Sequence, residues 1–307
     1  MSEYEEELSQ EDLKAEQTGE GLVIESTAQV IINFWRTKLH DATIGVKQME
    51  QYRSRSRKWN KGMQPRGEVT FKTKDKKDGK QGKLTVGFNT DFYDLSDSAY
   101  AKRHDPTDLY KRISIRLFTE LAKGKGGNWA GSLEQSITET ISNSIAQGKP
   151  LPVFILDIPR YEYLIRLVRG RTIVGHHYNF ALIPDKEWSY SLPKQVRFFS
   201  IESKKVAVGL DFNVKEIGGM NDGKAVAEVD EKKMDIGGKW VLSIKDPSLE
   251  SNHVFKHVMI LFCCLCKYLD EVNSQTEKLY KMVQEKGKFL DTINEELSYF
   301  RNPRYRK

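Results

Sequence analysis

The feature that most limits the fold is a series of short apolar or alternating runs between residues 151 and 244. They lie at 153–158, 161–168, 171–183, 196–201, 206–217 and 239–244, with turn formers such as Pro159, Gly218-Gly219 and Asn221 to Gly223 between them. Strand side chains alternate between two faces, so runs of this length bounded by Gly, Pro and Asn read as strands. Six or seven strands at this spacing predict an antiparallel barrel or sandwich.

Helical periodicity flanks this series. Asp246-Pro247-Ser248 has the form of a helix start. Beyond it Val258, Leu261, Leu265, Tyr268, Val272, Leu279, Met282, Phe289 and Ile293 fall largely on heptad a and d positions. The first turns are apolar all round, which predicts packing on the barrel. The later turns are charged outside the seam, so a homo-oligomer through this helix is an expected partner state. Ahead of the strands, residues 26–52 place Val30, Phe34, Val46 and Met49 on helical spacing. Asp105-Pro106-Thr107-Asp108 predicts a helix through Leu109, Ile113, Leu117, Phe118 and Leu121. Residues 132–147 predict another, with Leu133, Ile137, Ile141 and Ile145 on one face and Gly148 as its stop. The fold class expected is α+β: an antiparallel barrel or sandwich, OB-like in one form, with two inserted helices and a long C-terminal helix. Three parts are expected: an acidic arm over 1–25, a β-rich core over 26–246 and a helical segment with a basic tip over 247–307.

Bulk composition narrows the setting. Hydrophobic content is 38% and charged content 30%, so part of the chain is expected to be solvated. The first twenty residues hold eight acids against Lys14, read either as a solubilising tail or as a mimic of nucleic acid. The three cysteines, Cys263, Cys264 and Cys266, cluster in one apolar segment, which argues for a reducing compartment rather than a disulfide framework. The N-terminus lacks a signal-peptide apolar run. The longest unbroken apolar run, 258–266, is far below the roughly 20 residues a membrane helix needs, so no membrane partner is expected.

Charge is concentrated early. Between Tyr52 and Lys83 there are twelve Lys or Arg against Glu68, Asp75 and Asp78. Tyr52, Trp59, Phe71 and Phe88 are interleaved. Residues 68–74 and 83–89 alternate as the arms of a β-hairpin around the polar stretch 75–82. Val69, Phe71 and Thr73 fall on one face, and Thr70, Lys72 and Lys74 on the other. Cations for the backbone and flat rings for bases are what single-stranded nucleic acid needs. Arg53, Arg55, Arg57, Lys58, Lys61, Arg66, Lys72 and Lys74 are the phosphate candidates, with Trp59 and Phe71 for stacking. The ordinary reading of the same residues is a charged surface loop. Arg160, Arg166, Arg169 and Arg171 form a second basic cluster, for which strand-edge arginines are the plain alternative.

Catalytic signals are sparse. Residues 124–131 have the composition of a phosphate loop without its spacing. His253 and His257 share a helix face near the cysteines, yet Cys-x-x-Cys spacing is missing, so buried apolar cysteines are expected and no metal or cofactor. His176 and His177 face opposite sides of a strand. Pro184-Asp185 followed by Glu202-Ser203-Lys204, with Asp211 beyond, looks like the PD…ExK arrangement of metal-dependent nucleases. This pattern is the one enzymatic alternative. A capsid or nucleocapsid role is the structural one.

Ile141-Ser142-Asn143-Ser144 followed by Lys149-Pro150-Leu151-Pro152 resembles a stretch in the single-stranded-DNA-binding proteins of large cytoplasmic DNA viruses, the African swine fever virus type. The resemblance covers about a dozen of 307 residues. It implies an OB-like barrel that binds single strands without strong sequence preference, and it transfers no contact residue. The long closing helix departs from that family.

Overall fold

The computed structural model describes residues 29–34, 64–72, 83–89, 113–119, 129–172, 175–184, 195–204, 210–218, 222–232 and 238–286. Twelve strands form one closed antiparallel barrel in which each pairs with its neighbours in sequence. They are β1 (Gln29–Phe34), β2 (Gln64–Lys72), β3 (Lys83–Asn89), β4 (Ser114–Thr119), β5 (Trp129–Gln135), β6 (Val153–Asp157), β7 (Ile165–Arg169), β8 (His177–Leu182), β9 (Arg197–Ser203), β10 (Phe212–Ile217), β11 (Ala225–Lys232) and β12 (Lys239–Ile244). Closure comes from β1, which pairs with both β2 and β12. Four helices accompany them: α1 (Ile137–Gln147), α2 (Pro247–Glu250), α3 (His253–Cys266) and α4 (Leu269–Lys286).

Helix α3 runs through the middle of the barrel. A closed sheet of about eight strands is filled by its own side chains, so a larger one needs other matter inside. Every residue of α3 except His253 and His257 is buried. Its rings meet one side of the wall, strands β8 to β10. Phe255 meets Phe180 on β8 and Phe199 on β9, and Phe262 meets Tyr178 on β8 and Phe212 on β10. The same helix packs against β1, β4, β5 and β12. Each fully buried Phe or Leu here contributes roughly 1.5–3 kcal/mol relative to exposure. The all-round apolar character of residues 258–266 therefore marks a core helix, with the strands outside it.

The helix enters at the end where β12 finishes. Asp246 caps α2 by accepting from the Ser248 amide, and Asn252 caps α3 by accepting from the Phe255 amide. Arg197, at the start of β9, donates to both oxygens of Glu216 and to Asp246 and Ser248. Burial alone would raise the Asp246 carboxyl; hydrogen bonds from Ser248 and then Arg197 hold it below the usual range. At the exit end Lys267 lies 5.7 Å from the Phe34 ring centroid. There α4 turns outside the barrel and packs on α1 through Ile137, Ile141, Leu279 and Val283, with Gln135 donating to Thr276.

Several expectations are corrected. The twelve-stranded consecutive order differs from the five-stranded Greek key of an OB-fold. Within the helix expected from Leu109 to Leu121, residues 114–119 are strand β4, where Ile113, Ile115 and Leu117 satisfy a period of two as well as Ile113 and Leu117 satisfy one of four; residues 109–112 and 120–121 lie outside the described part. The helix expected over 132–147 begins only at Ile137. Ser136 caps it by accepting from the Glu139 amide, the mark of a Ser-x-x-Glu box, and Leu133 belongs to β5. Within the helix expected over 26–52, residues 29–34 are strand β1, with alternating burial; residues 26–28 and 35–52 lie outside the described part. The run at 225–232, not read as a strand from sequence, is β11. The acidic arm and the basic tip also lie outside the described residues.

Truncating Phe262→Ala should cost about 3–5 kcal/mol in denaturant unfolding, because it opens a cavity between helix and wall. Lys256, only 1% exposed on α3, titrates at about 8 because burial disfavours its charge, with Glu250 opposing. The unfolded chain then binds more protons than the folded one from about pH 8 up to the ordinary lysine value, so stability should rise with pH across that window. Thermal unfolding of Lys256→Met should lack that rise.

Candidate nucleic-acid interface

Hairpin β2–β3 is held in the wall by its inward face. Val69, Phe71 and Leu84 are each at most 1% exposed. Gly67 lets β2 approach β1: a Cβ there would fall 2.4 Å from the Asn33 carbonyl oxygen, at a β-bulge between Pro65 and Gly67. The alternate residues, Glu68 and Thr70, are half-buried on the outer side. Phe71 is thus corrected from a stacking candidate to a core residue, since no base reaches its ring.

Of the other candidates, Arg66 is half-buried beside the bulge and Lys72 ends β2 at the register position opposite Gln29. Arg53, Arg55, Arg57, Lys58, Trp59, Lys61 and Lys74 lie outside the described residues. The chain re-enters the wall at Gln64, at the end of β2 nearest Phe34, which is where α3 exits.

The outer wall beside this hairpin is laid out by register. Lys232, Lys239, Asn33 and Glu68 form one row across β11, β12, β1 and β2. Asp230, Val241, Ile31 and Thr70 form the next, and Glu228, Ser243, Gln29 and Lys72 the third. A shallow groove of about 410 Å³ is lined by Gln29, Ile31, Asp230, Lys232, Lys239, Val241 and Ser243. Two of the nearby acids are engaged by lysines: Asp230 accepts from Lys204 at 3.0 Å, and Glu228 from Lys245 at 2.6 Å. Sequence reasoning missed this groove, because two of its seven lining residues, Asp230 and Lys232, lie on β11.

The second basic cluster does not form one patch. Arg166 pairs with Glu139 at 2.5 Å, and Arg169 donates to Asn273 on α4. Arg160, at φ 67°, lies in the turn before β7, at the opposite end of that strand from Arg169.

Of the nuclease pattern, Pro184, Glu202, Lys204 and Asp211 lie among the described residues. Leu182 pairs with Arg197, and Glu202 lies five residues further along β9, opposite His177. At about 3.3 Å per residue that is roughly 17 Å from the end of β8 that leads to Pro184. Asp185 lies outside the described residues. Glu202 instead accepts from Lys215 at 2.9 Å and from Ser200, and the Lys215 hydrogen bond is the main reason its carboxyl is held low. Lys204 engages Asp230, and Asp211 accepts from the Glu231 amide. Among the described residues no group of three or more His, Cys, Asp or Glu is placed to hold a metal ion. Cys263, Cys264 and Cys266 are buried free thiols pushed up by burial. His257 donates its Nδ1–H to the His253 carbonyl at 2.7 Å.

His176 and His177 divide as expected. His176 stacks on Tyr178 inside the wall, and His177 meets Ser200 on the outer side. Burial and then Arg169 hold His176 below the ordinary imidazole value, with Asp270 opposing. No helix among the described residues is long and apolar enough to cross a membrane.

Phe71→Ala should lower stability by about 3–5 kcal/mol in chemical denaturation, the cost of a core aromatic. A lowered His176 pKa means the unfolded chain takes up a proton first as pH falls through about 6.5, so stability drops there. His176→Phe should reduce that drop in melts between neutral and acidic pH. Comparison of the chain with known protein families, with curated proteins and with solved structures finds no match.

Proposed function

We propose that this protein binds single-stranded nucleic acid, tolerant of sequence, through its basic hairpin and the outer wall beside it. The observation that carries this reading is the division of β2 between its faces. Val69 and Phe71 anchor the strand in a closed wall, so a segment with twelve cations between 52 and 83 is tied to a rigid sheet. Rigidity lowers the ordering cost of binding a flexible polyanion. The basic segment rejoins the barrel at Gln64, at the end where the Lys232–Lys239 row lies, and β1 separates that row from the hairpin. Arg53, Arg55, Arg57, Lys58, Lys61, Arg66, Lys72 and Lys74 are assigned to phosphates, and Trp59 to stacking.

The test is a salt titration of labelled single- and double-stranded oligonucleotides by fluorescence anisotropy. Each engaged phosphate contributes about −0.7 to the log–log salt slope on single strands, so about five contacts give a slope near −3.5. Lys72→Glu should weaken binding and flatten that slope. Trp59→Ala should lose about 1–3 kcal/mol on single strands and little on duplex. Binding that is indifferent to salt, or equal for the parent and both variants, ends this reading.

A further inference from the structure

The exit end of the barrel carries a group of inward polar side chains that the hairpin does not use. Arg169 and Tyr178 are direct cross-strand partners on β7 and β8, and His176 lies two residues before Tyr178, so all three fall on the inner face. The backbone amide of His176 donates to Ser203 Oγ at 2.9 Å, and its ring stacks on Tyr178 with centroids 6.5 Å apart. Tyr178 is fully buried, while Arg169 and His176 are half-buried, so the group has a closed floor and an open rim. Three of its polar atoms are buried without a hydrogen-bond partner: Arg169 Nε, His176 Nδ1 and the Tyr178 hydroxyl. The Arg169 guanidinium donates to the neutral Asn273 amide, and among the described residues no carboxylate pairs with it. Buried polar groups are normally satisfied, so three orphans side by side call for a partner from outside the chain.

We infer that this mouth holds a small oxyanion of the phosphate type, bound by the Arg169 guanidinium, the Tyr178 hydroxyl and the His176 Nδ1–H. Each of these groups donates, and the planar Arg fork matches phosphate geometry. Burial raises the Tyr178 pKa, with Arg169 opposing, so the hydroxyl keeps the proton that it donates. The His176 imidazole is neutral at pH 7, because burial and then Arg169 lower its pKa, and a neutral ring can carry its proton on Nδ1. Facing the group are Cys266, a thiol kept protonated by burial, and Asp270 and Asn273 on α4. Asp270 is exposed, where solvent weakens its repulsion of a bound anion. This chemistry has two sources, a free phosphate monoester or the terminal phosphate of a nucleic-acid strand. The basic segment rejoins the wall at Gln64, at this same end.

The experiment titrates the full chain with inorganic phosphate by isothermal calorimetry in a low-salt buffer. The parent should bind phosphate. Tyr178→Phe removes one donor and keeps the ring, and should bind about tenfold more weakly, as expected for one hydrogen bond to a charged group. Arg169→Gln should bind more weakly still. Thermal melts check the fold, and if Arg169→Gln loses it, Tyr178→Phe still decides. A parent that binds no phosphate shows that water alone satisfies the three atoms, and the inference is overturned; a folded Tyr178→Phe that binds as the parent does overturns it too. The source is read with oligothymidylates that carry a terminal phosphate or lack one. A gain from that phosphate, lost in Tyr178→Phe, assigns the site to a strand end, and no gain assigns it to a free monoester. Phosphate binding without strand binding keeps this site and ends the hairpin reading; strand binding without phosphate binding does the reverse.

Discussion

Everything in this structure depends on the contact between one apolar helix and the inside of a closed sheet. Twelve strands enclose more space than their own inward side chains fill. Helix α3 supplies the missing volume, and its Phe255 and Phe262 meet aromatic rings carried by β8, β9 and β10. Without the helix the wall would line a void. Without the wall the helix would expose a continuous apolar surface. Each part therefore covers the apolar surface of the other.

Filling the barrel also decides where function can be. An interior plugged by protein offers no chamber for a ligand, so recognition has to use the outer wall, the ends and the connections. On the outer wall the described charges are mostly matched locally, as in the Lys204–Asp230, Lys215–Glu202 and Arg166–Glu139 pairs. In the stretch beside β2, Lys232 and Lys239 are cross-strand neighbours above Ile31 and Val241. The concentration of twelve cations between 52 and 83 is why a polyanion is the partner proposed.

How much was legible in the sequence varied with the physics of each element. The later strands were readable because half-buried alternation and Gly or Asn turns give a period that a helix cannot match; β12 was found at its observed limits. The β2–β3 hairpin was readable for the same reason. Strand β4 was misread because Ile113 and Leu117, four apart, fit both a helix and a strand, and the Asp-Pro start upstream favoured the helix. Strand β11 was passed over because Ala225, Ala227 and Glu228 dilute its apolar signal, and the groove that depends on it was passed over as well. The Phe71 ring sat between two roles until its burial was known. Alternation places a side chain on a face, but it does not say which face is the inside.

Chain order gives the plugged barrel a further property. The helix that fills it follows all twelve strands in sequence, and the strand that closes it, β1, finds its second partner only in β12. During synthesis the ribosome therefore releases a long run of strands before the piece that can organise them exists. Contacts so distant in sequence form slowly, and unfilled sheet invites association with other chains. Such a nascent chain has reason to rely on chaperones until Cys266 has emerged.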